Sequence, residues 1–118
     1  MPCITNIRRL LFMLGGTPNY IGFQYVVYGL QLLSENSEMK LQLVTKWLYP
    51  DIANHFHTGW KTVERDIRTL IHVIWKKNPS LLQTLAGYPM KNMPTVSQFF
   101  GILLEYLSND ENDEWLVL

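Results

Sequence analysis

Residues 51–75, DIANHFHTGWKTVERDIRTLIHVIW, limit the possible folds more than any other stretch. Val63, Ile67, Leu70, Ile71 and Ile74 recur there at three- and four-residue spacing, which puts them on one face of a helix. Lys61, Glu64, Arg65, Arg68 and His72 fall on the opposite face. Upstream, Ala53 is a small residue beside Ile52, where a second helix can cross closely. The offset from Ala53 to Val63 and Ile67 suits two short helices meeting near a right angle across a tight turn, with these three residues at the crossing. Such a pair is a helix-turn-helix. A second helix with a buried stripe, and a basic, hydrogen-bonding stripe near its N-terminus, is what the DNA major groove accepts.

The remainder of the chain must supply a core for that pair. At 118 residues one domain is expected, long enough to bury a core without disulfides. An apolar content of 47% against 17% charged residues argues for a folded protein. Cys3 stands alone, so no disulfide closes within the chain, which fits a reducing, cytoplasmic setting. LLFML at 10–14 follows Arg8 and Arg9, but it is too short for a signal peptide or a membrane span. The net charge of zero conceals a polarity. Five of the ten Lys and Arg lie between Lys61 and Lys77, and four of the ten acids lie at Asp110, Glu111, Asp113 and Glu114. Without those four acids the body carries +4.

The pattern along the chain is all-α, with about six helices. Residues 5–14 form the first, with Ile7, Leu10, Leu11 and Leu14 inward. Gly15 to Pro18 end it. Residues 21–34 form the second, with Phe23, Val26, Val27, Leu30 and Leu33 inward; Gly29 weakens it unless another helix packs closely there. A helix over 39–48 meets Pro50 and kinks or restarts. His57, Thr58 and Gly59 turn the chain into the long helix, which Lys76 and Lys77 close. A short helix at 80–86 stops at Gly87, and Thr95 caps a last one running to about Leu107. The domain is therefore expected over 1–108, with an acidic tail over 109–118.

The outward residues of the long helix have a chemistry of their own. Arginine offers two parallel donors to guanine, and glutamate accepts from cytosine, so Arg65, Arg68 and Glu64 suit base edges. Lys61, near the helix N-terminus, suits phosphate. The plain alternative is a solvated surface on which Glu64 and Arg68 form an i,i+4 ion pair worth a few tenths of a kcal/mol. Trp60 either stacks on a sugar or packs beside the turn, with packing favoured. His55 and His57 form a His-x-His pair without the further ligands a zinc site needs. His57 is then a turn residue at positive φ. No nucleophile–base pair, glycine phosphate loop or paired-carboxylate site is legible, so neither enzyme activity nor a cofactor is expected.

Several motifs in order carry a family resemblance. LYPDIA at 48–53, VERDIR at 63–68 and VIW at 73–75 resemble the DNA-binding effector domain of the sporulation response regulator, stage-zero sporulation protein A. GTPNYIGFQY at 16–25, LAGY at 85–88 and MPTVSQFF at 93–100 resemble further segments of that family, so the likeness spans about residues 4–107. It implies a bacterial transcription factor reading boxes of the TGTCGAA type, with Glu64, Arg65 and Arg68 at DNA-contacting positions. The candidate DNA-binding set is Lys61, Thr62, Glu64, Arg65 and Arg68, extended by Trp60, Thr69 and Lys76. Implied partners are double-stranded DNA, a second protomer on tandem boxes, and the RNA polymerase sigma subunit through residues near 78–90. No receiver domain is legible, so the chain is either an excised domain or a stand-alone paralogue, governed by its amount, a partner or its tail.

The sequence also departs from the family pattern. Thr62 replaces a basic residue, Asp66 a small one and Thr69 a histidine; Gly59 takes the place of a capping Thr. Asp66 adds negative charge near the groove, and basic residues are missing from 21–28. These departures motivate a rival function: a non-enzymatic interaction module of the same fold that modulates a regulator with little or no DNA binding.

Overall fold

A computed structural model describes residues 4–35 and 44–112. Helix α1 (Ile4–Leu14) buries the expected stripe of Ile7, Leu10, Leu11 and Leu14. It ends in a Schellman motif: Gly15 adopts φ 105°, and the amides of Gly15 and Gly16 donate to the carbonyls of Phe12 (3.0 Å) and Leu11 (2.9 Å). Helix α2 (Ile21–Glu35) is the inner helix and touches α1, α3, α4 and α6. Two of its glycines lie where other elements approach closely, one against backbone and one against side chains. A Cβ at Gly22 would collide with the backbone carbonyl of Asp66 in α4. One at Gly29 would stand 3.1 Å from both Ile52 of α3 and Phe100 of α6, the close packing that an interior glycine required.

The expected helix over 39–48 is only partly visible, since residues 39–43 lie outside the described residues. Val44–Leu48 form a π-helical turn that runs directly into α3 (Tyr49–His55). Pro50, in the first turn of α3, has no N–H to donate and its ring excludes the carbonyl four residues back. A wider π turn accommodates that mismatch, and Leu48 stays helical at φ −71°, ψ −45°. Pro50 therefore produces a widened turn rather than a break.

Helix α3 ends in a second Schellman motif. The amides of His57 and Thr58 donate to Asn54 (3.4 Å) and Ala53 (2.9 Å), and His57 holds φ 56° where glycine is usual. After Gly59, α4 (Trp60–Lys77) buries Val63, Ile67, Leu70, Ile71 and Ile74, the stripe that its spacing marks. Ala53, Val63 and Ile67 are buried in one cluster, which joins α3 to α4 as a helix-turn-helix. The Nζ of Lys77 donates to the Gly15 carbonyl at 3.4 Å, tying the C-terminal end of α4 to the end of α1.

Helix α5 (Pro79–Ala86) stops at Gly87, in the left-handed conformation. The side-chain oxygen of Gln83 accepts from the Met90 amide at 2.8 Å and anchors the loop that follows. Thr95 and Gln98 form a reciprocal capping box: the Gln98 amide donates to the Thr95 hydroxyl at 3.1 Å, and the Thr95 amide to the Gln98 side chain at 2.9 Å. Helix α6 (Val96–Asn112) runs past the expected end at Leu107. The boundary expected at residue 108 therefore falls inside a helix. Phe99, Phe100 and Leu103 of α6 join Phe23, Leu30, Tyr49 and Ile52 in the common core. No strand occurs among the described residues.

Candidate nucleic-acid interface

The inner side of α4 is fixed by the core, and this decides which residues face out. Buried Ile67, Leu70 and Ile74 direct Lys61, Arg65, Arg68, His72 and Lys76 to the opposite side as one stripe of three- and four-residue steps. Arg65 and Arg68 have side chains 71% and 64% exposed. Glu64, Arg65, Arg68, Thr69 and His72 line a single open depression on this face.

Two ion pairs cross the site. Arg68 Nη2 lies 3.7 Å from Glu64 Oε2, the i,i+4 pair of the plain surface reading. Arg65 Nε donates to Asp66 Oδ1 at 3.3 Å. Asp66 is only 17% exposed and interacts electrostatically with Tyr25 of α2, so it sits at the α2–α4 seam rather than on the outward stripe. Burial pushes the Tyr25 phenol up, and Asp66 adds to that shift. Tyr49, buried at the start of α3, lies behind the site; burial first and the Glu64 carboxylate second push its phenol up to about 12, against an opposing pull from Arg68.

The other expected residues divide by position. Lys61 is exposed at the start of α4, with Nζ 5.8 Å from the Trp60 ring centre. Trp60 is 43% exposed, so its ring is partly covered and partly open to a ligand. It is the first residue of α4, after the extended Gly59, and is not part of the core cluster. Thr62 is partly buried at the edge of the stripe. The Thr69 hydroxyl donates to the Arg65 carbonyl at 3.0 Å, which commits its proton and leaves its lone pairs and methyl to a ligand. Lys76 shares the stripe but stands one turn beyond His72, away from the depression.

His72 lies on the same stripe and lines the same depression, as its spacing from Arg65 and Arg68 implied. His55 stacks on Tyr28 with ring centres 4.0 Å apart. No group of three or more His, Cys, Asp or Glu among the described residues is placed to hold a metal ion. No helix among them is long and apolar enough to cross a membrane.

These features define a class: an all-α helix-turn-helix domain of the nucleic-acid-binding kind, with its second helix long, core-anchored and charged on the outside. Residues 7–107 match the family model described as "Sporulation initiation factor Spo0A C terminal", and the chain belongs to that family. Its members are DNA-binding effector domains, and the family is not one of enzymes. The quoted motifs occupy the structural joints: GTPNY the turn from α1 to α2, LYPDIA the passage from the π turn into α3, and LAGY the end of α5.

Proposed function

We propose that the domain binds double-stranded DNA sequence-specifically with α4 in the major groove. The observation that carries this reading is the exposed stripe from Lys61 to His72 on a helix whose other face is locked in the core. Arg65 and Arg68 are assigned to guanine, Glu64 to cytosine and Lys61 to phosphate. Trp60 and Thr69 flank them, with Thr69 able to accept a hydrogen bond or touch a thymine methyl. Thr62 and Lys76 take positions at the edge and far end of the stripe. Asp66, turned into the α2–α4 seam, opposes DNA mainly by holding Arg65.

A second protomer on tandem boxes and a sigma-subunit contact near residues 78–90 complete the proposal. Tyr88, 45% exposed in that segment, supports a protein-facing role. The rival, an interaction module, draws support from the two ion pairs, which partly spend the charge of both arginines within α4.

The deciding measurement is a salt titration of binding to a TGTCGAA-type duplex. DNA binding predicts a steep loss of affinity as salt rises, because each phosphate contact releases counterions. Arg65→Ala or Arg68→Ala should each weaken binding to the box by roughly 1–3 kcal/mol. Lys61→Ala should weaken all sequences alike and flatten the salt slope. Failure to bind even at low salt would leave the interaction module as the better reading.

A further inference from the structure

Beyond the ion-paired middle of α4, the outward stripe continues to His72, four residues after Arg68 and seven after Arg65. His72 is exposed and lines the same depression as both arginines. Among the described residues it has no hydrogen-bond, ion-pair or ring partner, whereas Glu64 with Arg68, and Arg65 with Asp66, are already paired. Distance along the helix gives it a particular place on DNA. From Lys61 to His72 the helix rises about 16 Å. The major groove is about 12 Å wide. A helix tilted across it, with Lys61 at one sugar-phosphate wall, brings His72 to the opposite wall.

We propose that His72 is a phosphate contact that engages DNA as its imidazolium form, so that affinity for DNA rises as the pH falls. This rests on α4 being the DNA reader. The charged residues that line the depression with His72 are Arg65 and Arg68 as cations and Glu64 as the anion; Lys76 follows one turn on, and Lys46, Asp51 and His55 belong to the elements that precede α4. The proton matters because the face is weakly charged. Lys61, Arg65, Arg68 and Lys76 are opposed by Glu64 beside them and by Asp66 from the α2–α4 seam, which leaves two net positive charges over this length of α4. One more cation is a large relative gain, and a neutral imidazole releases no counterion. Imidazole is the side chain whose charge changes between pH 5 and 8.

The test measures binding of a labelled TGTCGAA-type duplex over a range of salt at about pH 6 and about pH 8. His72→Gln and His72→Lys are run beside the unaltered protein, with circular dichroism to confirm that each is folded. The unaltered protein should bind roughly three- to tenfold more tightly at the lower pH, with a salt slope steeper by about 0.9. His72→Gln should lose both differences, and His72→Lys, a permanent cation, should bind tightly at both pH values. If His72→Gln keeps the full pH response, the response comes from another group and the proposal is overturned. Salt-sensitive binding with no pH response in the unaltered protein overturns it too, while leaving DNA binding intact. Folded protein that binds at neither pH overturns the DNA reading itself.

Discussion

His57 sits at φ 56° in the turn between α3 and α4, the only non-glycine residue at positive φ among the described residues. The left-handed conformation costs a residue with a Cβ roughly 1–2 kcal/mol. Glycine escapes that cost but loses more chain entropy on folding, by about 0.5–1 kcal/mol. His57→Gly should therefore stabilise the domain by up to about 1 kcal/mol, while a β-branched residue there should destabilise it. Thermal unfolding followed by circular dichroism checks both; a lower midpoint for His57→Gly would mean that the imidazole supplies something that the turn needs. The three turn residues were legible in the sequence, and positive φ was one reading of His57. What decides it is the hydrogen bonding of residues 57 and 58 back to Asn54 and Ala53. Gly59, the residue best able to adopt positive φ, is instead extended at φ −91°, ψ 153°. Asp66 shows the same limit. Its charge was legible, but its retreat into the seam with α2 follows from a close helix approach that helical spacing within α4 does not encode.

That close approach belongs to the element scale. Gly22 lets α2 lie against the backbone of α4 at Asp66, and no flexible side chain there can yield to a methyl group. Gly22→Ala should destabilise the fold by about 1–3 kcal/mol, as overpacking does, and weaken DNA binding by displacing α4. Gly59→Ala is the matched control, because a Cβ there meets nothing within 4 Å. Denaturant unfolding of the two variants should separate them; equal stability would mean that the α2–α4 seam is more compliant than its geometry suggests. Helix faces were the most legible part of the sequence, since the buried stripes of α1 and α4 follow directly from spacing. The capping box at Thr95 and Gln98 gave α6 its start. Its end was less visible: residues 108–112 turn polar but contain neither Pro nor Gly, and a change of polarity does not stop a helix.

At the scale of the whole molecule, charge is separated along the chain: a body of +4 and four acids near the C-terminus. Tethered carboxylates can compete with phosphate for the basic stripe, because the linkage keeps their local concentration high. Removing residues 109–118 should therefore raise DNA affinity, most at low salt, since exposed charges are screened within about 8 Å at physiological ionic strength. Truncation after Asn112 keeps α6 whole and removes only Asp113 and Glu114 of the four acids. It should give a smaller gain, and unchanged affinity at low salt in both folded truncations would show the tail to be a bystander. The sequence gives the sign of that tail but not its path, and residues 113–118 lie outside the described residues. Besides its buried stripe, α4 is held at two points, by the close approach of Gly22 at Asp66 and by the Lys77 hydrogen bond to the Gly15 carbonyl. In the proposed complex a reader helix held in this way leaves much of the adjustment to the duplex. Boxes should then rank partly by how easily their steps bend or widen, at base pairs that no side chain touches.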